Sequence, residues 1–143
     1  MNLVKVFPVR GDINLAPISE LRKKAKVSEK NWFNKKVEDE VLRQQIKDAC
    51  GHQSASRINY TRCLGTVAQH TDDSDLSSRF IVISTTEKAA LTIQTDDEAE
   101  IVKIEPGYVY QFNDFCLHAL VSGDSDENKN NPGYVELFTV DMG

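Results

Sequence analysis

The sequence RFIVISTTEKAALTIQ (residues 79–94) decides the fold class, because it holds two short β-forming segments with no helix between them. Residues 79–85 and 90–95 are rich in β-branched and apolar residues, which favour strands, and the polar turn Thr86-Glu-Lys88 separates them. Strands this close together, with no helix between them, are typical of antiparallel sandwiches and barrels, since a parallel crossover needs about a dozen residues or more. This stretch therefore predicts an antiparallel sheet rather than a doubly wound α/β fold.

Short β-forming segments continue on both sides of this stretch. Turn residues separate them, among them Pro106-Gly107 and Asn113-Asp114. The first segment is long enough to bend and to serve as two strands. The predicted strands are 57–69, 79–85, 90–95, 100–105, 108–113, 116–122 and 134–141. Many short strands without intervening helices predict an antiparallel sandwich or barrel, so the protein is expected to be mainly β over residues 57–142.

Residues 1–52 carry helical patterns instead. A short helix is predicted from Pro17 to Ala25, with proline in the first turn, where its missing N–H costs little. A longer helix is predicted after Ser28 and is expected to stop at Gly51. Its apolar residues predict a stripe that covers one face of the sheet: Phe33, Val37, Val41, Leu42, Ile46 and Ala49. The prediction is a single domain over residues 1–143, with helical N-terminal support (1–52) before a β core (57–142).

Length and composition limit the function classes. The chain has 143 residues and a mass of 16.1 kDa, which fits one domain. No segment reaches the roughly 20 apolar residues of a membrane span, and the apolar stretch at the N-terminus is too short for a signal peptide. Three cysteines without a secretion signal suggest reduced thiols. A cytoplasmic protein without membrane contact is therefore expected.

The net charge of −5 is unevenly distributed along the chain. Residues 1–70 hold 13 Lys and Arg against 7 Asp and Glu, whereas residues 71–143 hold 4 against 15. The basic excess is densest from Arg22 to Lys36. Two interpretations stay open: this segment docks against the acidic half of its own fold, or it meets phosphates or an acidic partner.

Two of the three histidines suggest metal chemistry. His70 and Asp72 stand two residues apart at the end of a predicted strand, and residues i and i+2 of a strand share one face. His118 lies in the apolar segment FCLHAL (115–120), where a polar ring needs a partner. Two neutral imidazoles and one carboxylate form the facial triad that binds non-haem Fe(II). The alternative is ordinary turn chemistry at Asp72 and one buried histidine.

With these elements in this order, residues 57–142 resemble the Fe(II)/2-oxoglutarate-dependent dioxygenase superfamily, whose fold is a double-stranded β-helix (a jelly-roll, cupin-like barrel). His70-Thr-Asp72 matches the family's His-x-Asp at the end of its second strand, and His118 matches the distal histidine on its seventh. Residues 79–84 are similar to the strand after the His-x-Asp loop, and residues 105–112 are similar to the Pro-Gly turn and strand before the distal histidine. The resemblance implies that His70, Asp72 and His118 are the catalytic metal ligands, that the metal is Fe(II) and that 2-oxoglutarate is the co-substrate.

The resemblance also implies residues that bind the co-substrate. Tyr60 lies before His70, where many members place a tyrosine that contacts 2-oxoglutarate. The family's basic anchor, shortly after the distal histidine, is missing, because position 128 is Asn and residues 134–141 contain no Lys or Arg. Arg62 is the predicted anchor, since an even separation from His70 would put both on one strand face. The alternative anchors are Arg79, Lys88 and Lys129.

We therefore expect an oxygenase that hydroxylates or demethylates a substrate, with a peptide, a protein or an exposed nucleobase as candidate substrates. The alternative is a cupin-like binding protein, either non-catalytic or independent of 2-oxoglutarate, that engages a partner through its basic N-terminal helix. Two further site hypotheses are a thiol nucleophile at Cys116 beside His118 and a structural zinc site. The zinc site would comprise Cys50, His52, Cys63 and His70. Nucleic-acid binding and the oligomeric state stay open.

Overall fold

The fold is given by a computed structural model that describes residues 3–28, 32–64, 67–70, 77–86, 89–113, 117–121 and 133–141; at 67–70, 77, 117, 118 and 121 the description covers the backbone. The described helices are a 3-10 turn (Ala16–Ile18), α1 (Ser19–Val27) and α2 (Glu40–Cys50). The described strands are β1 (Lys5–Pro8), β2 (Trp32–Lys36), β3 (Arg57–Leu64), β4 (Val67–His70), β5 (Ser77–Thr85), β6 (Ala90–Gln94), β7 (Ala99–Lys103), β8 (Tyr108–Asn113), β9 (Leu117–Val121) and β10 (Tyr134–Asp141).

The strands from β3 onward pair like a long hairpin rolled into a barrel. β3 pairs with β10, β4 with β9, β5 with β8 and β6 with β7, all antiparallel. Thus the first of these eight strands pairs with the last, the second with the seventh, and so on inward. Two further pairings, β10 with β5 and β9 with β6, join the pairs into two sheets. This nested pattern is a jelly roll, or double-stranded β-helix, as the sequence predicts.

The N-terminal region enlarges one of the two sheets. Sheet A has the strand order β1-β8-β5-β10-β3-β2, and sheet B has the order β4-β9-β6-β7. β1 and β2 thus extend sheet A at its two edges, by pairing with β8 and β3. Residues 1–52 therefore contribute strands as well as helices to the fold.

Sheet A buries side chains on both of its faces. Toward sheet B, residues such as Leu137 and Tyr110 form the inter-sheet core. Toward the helices, residues such as Ile58 and Phe138 form the helix-side core with α1 and α2. Because successive residues of a strand point to opposite faces, β3 and β10 alternate between the two cores. This alternation decides which face each candidate site residue occupies.

α2 supplies the apolar stripe that covers sheet A. Asp39 caps its N-terminus, where the carboxylate accepts a hydrogen bond from Leu42 N–H at 2.8 Å. Gly51 ends the helix in the left-handed conformation (φ 68°), so the predicted stop is confirmed. Four buried residues at helical spacing form the stripe: Leu42, Ile46, Ala49 and Cys50.

The predicted helix start after Ser28 is wrong. Residues 32–36 form β2, an edge strand paired with β3, and α2 begins only at Glu40. Phe33 reaches the helix-side core from β2, whereas Val41 is 69% exposed. The apolar periodicity of this segment is therefore coincidental. Pairing with β3 satisfies the backbone hydrogen bonds on the inner side of β2, and such tertiary pairing overrides local periodicity.

The other predicted elements are confirmed with small shifts. The helix predicted over 17–25 is the 3-10 turn followed by α1. The long strand predicted over 57–69 is split into β3 and β4, which belong to different sheets. None of the helices in the described ranges is long and apolar enough to span a membrane.

Candidate functional site

The two histidines predicted as metal ligands lie on neighbouring strands of sheet B. β4, the second of the eight nested strands, ends at His70, and β9, the seventh, carries His118. In the antiparallel pairing of these strands His70 is directly opposite His118. Directly opposite positions share one face of a sheet, with Cβ atoms about 4.5–5.5 Å apart. The backbone register therefore brings the two positions together.

Both positions belong to the face of sheet B that meets sheet A. His118 lies opposite Ile93 on β6, and Leu120, two residues on, lies opposite Leu91. Ile93, Leu91 and Leu120 are all buried in the inter-sheet core. Because residues i and i+2 of a strand share a face, position 118 lies on the core-facing side of β9.

The opposed positions His70 and His118, which we call the histidine row, lie at the end of the barrel where β5 begins and β8 ends. Ser77 and Asn113 are paired at that end of sheet A. β4 ends at His70 shortly before β5 begins, and β9 begins at Leu117 shortly after β8 ends. Short connections therefore bring the histidine end of sheet B to the same end of sheet A.

Sheet A carries polar residues on its inter-sheet face at this end. Its inter-sheet face is apolar at Val82 and Leu137, which are opposite each other. Beyond them, the hydroxyl of Ser78 donates a hydrogen bond to the carboxylate of Asp141. Register and strand alternation place five polar residues on this part of the face: Arg57, Asn59, Ser78, Thr139 and Asp141. The interior of the jelly roll therefore combines polar residues with Phe80 and Phe112, which share this face, where the histidine row lies.

The metal triad itself stays a prediction. Asp72 lies outside the described residues, as do the side chains of His70 and His118. Among the side chains that the structure describes, no group of three or more His, Cys, Asp or Glu could hold a metal ion. The support for the triad is therefore the backbone register of its two histidines.

The two residues predicted to bind 2-oxoglutarate face the helices. Tyr60 is buried in the helix-side core, with its ring 6.5 Å from that of Phe138. Arg62, two residues on and thus on the same face, lies with its guanidinium 4.9 Å from the centre of the Tyr134 ring. The co-substrate roles predicted for both residues require the opposite, inter-sheet face of β3.

The even separation between Arg62 and His70 does not put them on one strand face, because the chain changes sheets before His70. β3 ends at Leu64 in sheet A, and β4 begins at Val67 in sheet B. Counting even separations holds only within one continuous strand. The inter-sheet face instead receives Arg57, which the sequence analysis missed. Gly65 is the signal that could have found it, since glycine within a strand pattern often marks a bend.

The other candidate anchors also lack a described position at the histidine row. Arg79 faces the helices, because it lies two residues from Ile81 of the helix-side core, and its Nε donates to Gln111 Oε1 at 3.2 Å. Lys88 and Lys129 lie outside the described residues.

A buried carboxylate joins α1 to sheet A on the helix side. Glu136 is 2% exposed and accepts two hydrogen bonds from Arg22, Nε to Oε2 at 2.9 Å and Nη2 to Oε1 at 2.8 Å. The Tyr60 hydroxyl donates to Oε2, and the Ser84 hydroxyl donates to Oε1 at 3.0 Å. Both carboxylate oxygens are therefore fully engaged.

These contacts fix the ionisation of the cluster. Burial alone would raise the pKa of Glu136, but hydrogen bonds from Arg22 and Tyr60 outweigh it and hold the pKa below its usual value. The hydrogen bond to Glu136 raises the pKa of Arg22, and burial together with the same carboxylate raises the pKa of Tyr60. The cluster is an ion pair beside a neutral phenol, which suits a structural role. Arg22 thus docks against the acidic half of the chain.

The zinc hypothesis is wrong for the cysteines that the structure describes. Cys50 lies in the helix-side core and Cys63 in the inter-sheet core, so sheet A separates them. Both are free, buried thiols; burial raises the pKa of Cys50 and raises that of Cys63 to about 12. Cys116, the thiol of the other hypothesis, lies outside the described residues.

The third histidine, His52, lies just after α2, where the charges of Arg79 and Asp141 act on it. It is 7% exposed, and its Nε2 has no hydrogen-bond partner within the described part of the chain, as is true of Arg79 Nη1. Burial and the charge of Arg79 lower the pKa of His52. The ring is therefore neutral at pH 7.

Some solved structures are similar to this chain. No protein-family model matches the sequence, and no curated protein matches it. The vicilin from Solanum melongena is 13% identical with a TM-score of 0.49, and the match covers 73% of this chain and 24% of that chain, so this chain spans about a quarter of the vicilin. Protein NMB1881 from Neisseria meningitidis is 9% identical with a TM-score of 0.49, over 86% of this chain and 96% of that chain. The strand pairing, independently of these similarities, defines a jelly-roll, cupin-like fold.

Proposed function

We propose that the protein is an Fe(II)-dependent oxygenase that uses 2-oxoglutarate and hydroxylates or demethylates a substrate at the histidine end of the barrel. The observation that carries the proposal is the register of β4 and β9, in which His70 is directly opposite His118. The second support is the group of polar residues on sheet A at the same end of the interior.

The donor set of the proposed site fits ferrous iron. His70, His118 and Asp72 would supply two nitrogen ligands and one oxygen ligand, a set that leaves one side of the metal open. Iron bound there would supply the activation of O2. Ile93, opposite His118 on β6, and Leu91, two residues before it, are both buried and would supply an apolar wall beside the proposed site.

The proposed co-substrate position lies against the polar part of sheet A. 2-Oxoglutarate carries two carboxylates, and a carboxylate taken out of water needs a cation or several hydrogen-bond donors. Arg57 would supply the cation, and Asn59 and Thr139, opposite each other in the register, would supply donors. Arg57 replaces Arg62 in this role, because Arg62 contacts Tyr134 on the other face.

Anaerobic addition of Fe(II) and then 2-oxoglutarate tests the proposal. We expect a weak absorption band in the visible region and, under air, release of succinate. His70→Ala and His118→Ala should abolish both signals, because each removes a proposed ligand. His52→Ala is the matched control and should retain both, since His52 lies after α2. A band that persists in the first two variants would contradict the proposal.

Two arginine variants separate the candidate anchors. Arg57→Ala should raise the KM for 2-oxoglutarate, whereas Arg62→Ala should leave it unchanged, because the two residues lie on opposite faces of β3. A raised KM in Arg62→Ala alone would overturn the proposed position of the co-substrate.

A second candidate is a metal-dependent protein of the same fold that does not use 2-oxoglutarate. One observation favours it: Tyr60 and Arg62, which the resemblance assigns to the co-substrate, contact the helix side. Metal binding without any spectral response to 2-oxoglutarate would identify this candidate. Failure to bind metal at all would instead favour the alternative of a non-catalytic binding protein.

A further inference from the structure

A groove runs along one side of α1 and the 3-10 turn before it. Its volume is about 390 Å³. Its lining residues recur at helical spacing and so form one stripe: Leu15, Ala16, Ser19, Arg22, Lys23 and Lys26. A groove of this size suits a small organic ligand.

Arg22 is held in one orientation in the wall of this groove. Its Nε and Nη2 bond to the two oxygens of Glu136, and this fork fixes the plane of the guanidinium. The side chain is nevertheless 32% exposed, and the fork does not use all the N–H donors of the guanidinium. Arg22 is therefore pre-organised to bind an acceptor in the groove.

The charges around the groove favour an anion. Lys23 pairs with Glu20 at 3.4 Å, but both side chains are about three-quarters exposed, so the pair is weak. Lys26 makes no ion pair with any residue that the structure describes. Arg62 lies opposite Glu136 in the register of β3 and β10, so a second arginine belongs to the same part of sheet A. Cations therefore outnumber carboxylates here.

We propose that this groove binds the phosphate group of a small phosphate monoester. A phosphate offers several strong acceptor oxygens, which suit the N–H donors of Arg22 that Glu136 does not use and the point charges of Lys23 and Lys26. Ser19 adds a hydroxyl donor, and Leu15 offers apolar contact for the organic part of the ligand. The site lies on the helix side of sheet A and is independent of the proposed oxygenase site.

Titration of the full chain with phenyl phosphate, followed by the NMR shifts of backbone amides, tests this site. We expect saturable shifts confined to residues 15–26. Lys23→Gln and Lys26→Gln should each weaken binding about tenfold, because each removes a charge that lines the groove. Lys24→Gln is the matched control and should bind like the wild type, since Lys24 is exposed on α1 but does not line the groove. Arg22 is not substituted in this experiment, because it forms the buried ion pair with Glu136.

Three outcomes would overturn the proposal. The first is the absence of saturable shifts. The second is an equal loss of binding in all three lysine variants, which would indicate diffuse attraction by the basic surface. The third is binding of a single-stranded oligonucleotide without binding of phenyl phosphate, with shifts that extend to Lys35 and Lys36, which would indicate a nucleic-acid interface instead.

Discussion

The two faces of sheet A bury polar groups in opposite ways. On the helix side, Glu136 is surrounded by partners that engage both of its oxygens, so a charge is buried in the middle of an apolar layer. On the inter-sheet side, Val82 and Leu137 lie in an apolar core, and the polar residues gather at one end. The histidine row of sheet B lies at that same end.

This difference separates a structural site from a candidate reactive one. A buried carboxylate with all its oxygens bonded fixes the position of α1 and has no capacity left for a ligand. The polar end of the inter-sheet core has donors and acceptors on sheet A, next to the two opposed histidine positions of sheet B. Perturbed pKa values, which often mark functional sites, occur at Glu136 and Tyr60 for structural reasons.

Removal of the helix-side carboxylate should have the largest effect on stability. Glu136→Ala leaves Arg22 without its ion pair and leaves the Tyr60 hydroxyl buried without its acceptor. We expect the free energy of unfolding, measured by urea denaturation, to fall by about 3 kcal/mol. The control Glu20→Ala breaks only the exposed pair with Lys23 and should cost less than about 0.5 kcal/mol. Equal, small losses in both variants would mean that the buried cluster does not hold α1 in place.

Two tyrosines allow a direct comparison of the faces. Tyr60→Phe removes a hydrogen bond to the charged Glu136, whereas Tyr110→Phe removes the acceptor of the Glu105 N–H at 2.8 Å on the inter-sheet side. Because hydrogen bonds to charged groups are stronger, we expect losses of about 1.5 kcal/mol for Tyr60→Phe and about 0.7 kcal/mol for Tyr110→Phe in urea denaturation. The reverse order would contradict an ionised Glu136.

The buried thiols report how readily each face opens. Cys63 lies in the inter-sheet core on a strand paired on both sides, whereas Cys50 lies at the C-terminal end of α2. Opening at a helix end costs less than opening of a sheet core, so in a Cys116→Ser background Cys50 should react with a thiol reagent about tenfold faster than Cys63. The pKa of Cys63, raised to about 12, acts in the same direction. Faster labelling of Cys63 would mean that the barrel opens before the helix.

Acid should destabilise the helix side through His52. The pKa of His52 is lowered below its ordinary value of 6.5 by burial and by Arg79. The folded state then binds fewer protons than the unfolded state. The contribution of neutral His52 to the free energy of unfolding is therefore complete above pH 6.5 and is lost as the pH falls below it. The slope from one such group is at most about 1.4 kcal/mol per pH unit. His52→Gln should reduce the slope below pH 6.5, and an unchanged slope would contradict this assignment.

The β core was predictable because its signals are local. Strand alternation and turn residues lie within each segment, so β6 (Ala90–Gln94), β8 (Tyr108–Asn113) and β10 (Tyr134–Asp141) agree closely with their predicted ranges. β2 could not be found in this way, since residues 32–36 become a strand only by pairing with the edge of β3. Nor does any local pattern indicate the pair of Arg22 with Glu136, which are 114 residues apart.

The candidate site was predictable in part for the same reason. Strand order alone suggested that His70 and His118 lie on the second and seventh strands of the core, and the register sets them opposite each other. Whether Tyr60 and Arg62 share a face with His70 cannot be predicted without knowing where β3 ends. The break between β3 and β4 interrupts the alternation of side chains, so residues on either side of it cannot be assigned to one face by counting. Arg57 was missed because of that break.

X-ray absorption spectroscopy of the cobalt-loaded protein tests most directly whether His70 and His118 bind one metal ion between β4 and β9. We expect the wild type and His52→Ala to show two imidazole ligands for each bound Co(II). In His118→Ala the count should fall to one, or the metal should no longer bind. An unchanged count in His118→Ala, or a count that falls only in His52→Ala, would contradict a metal site at this histidine pair.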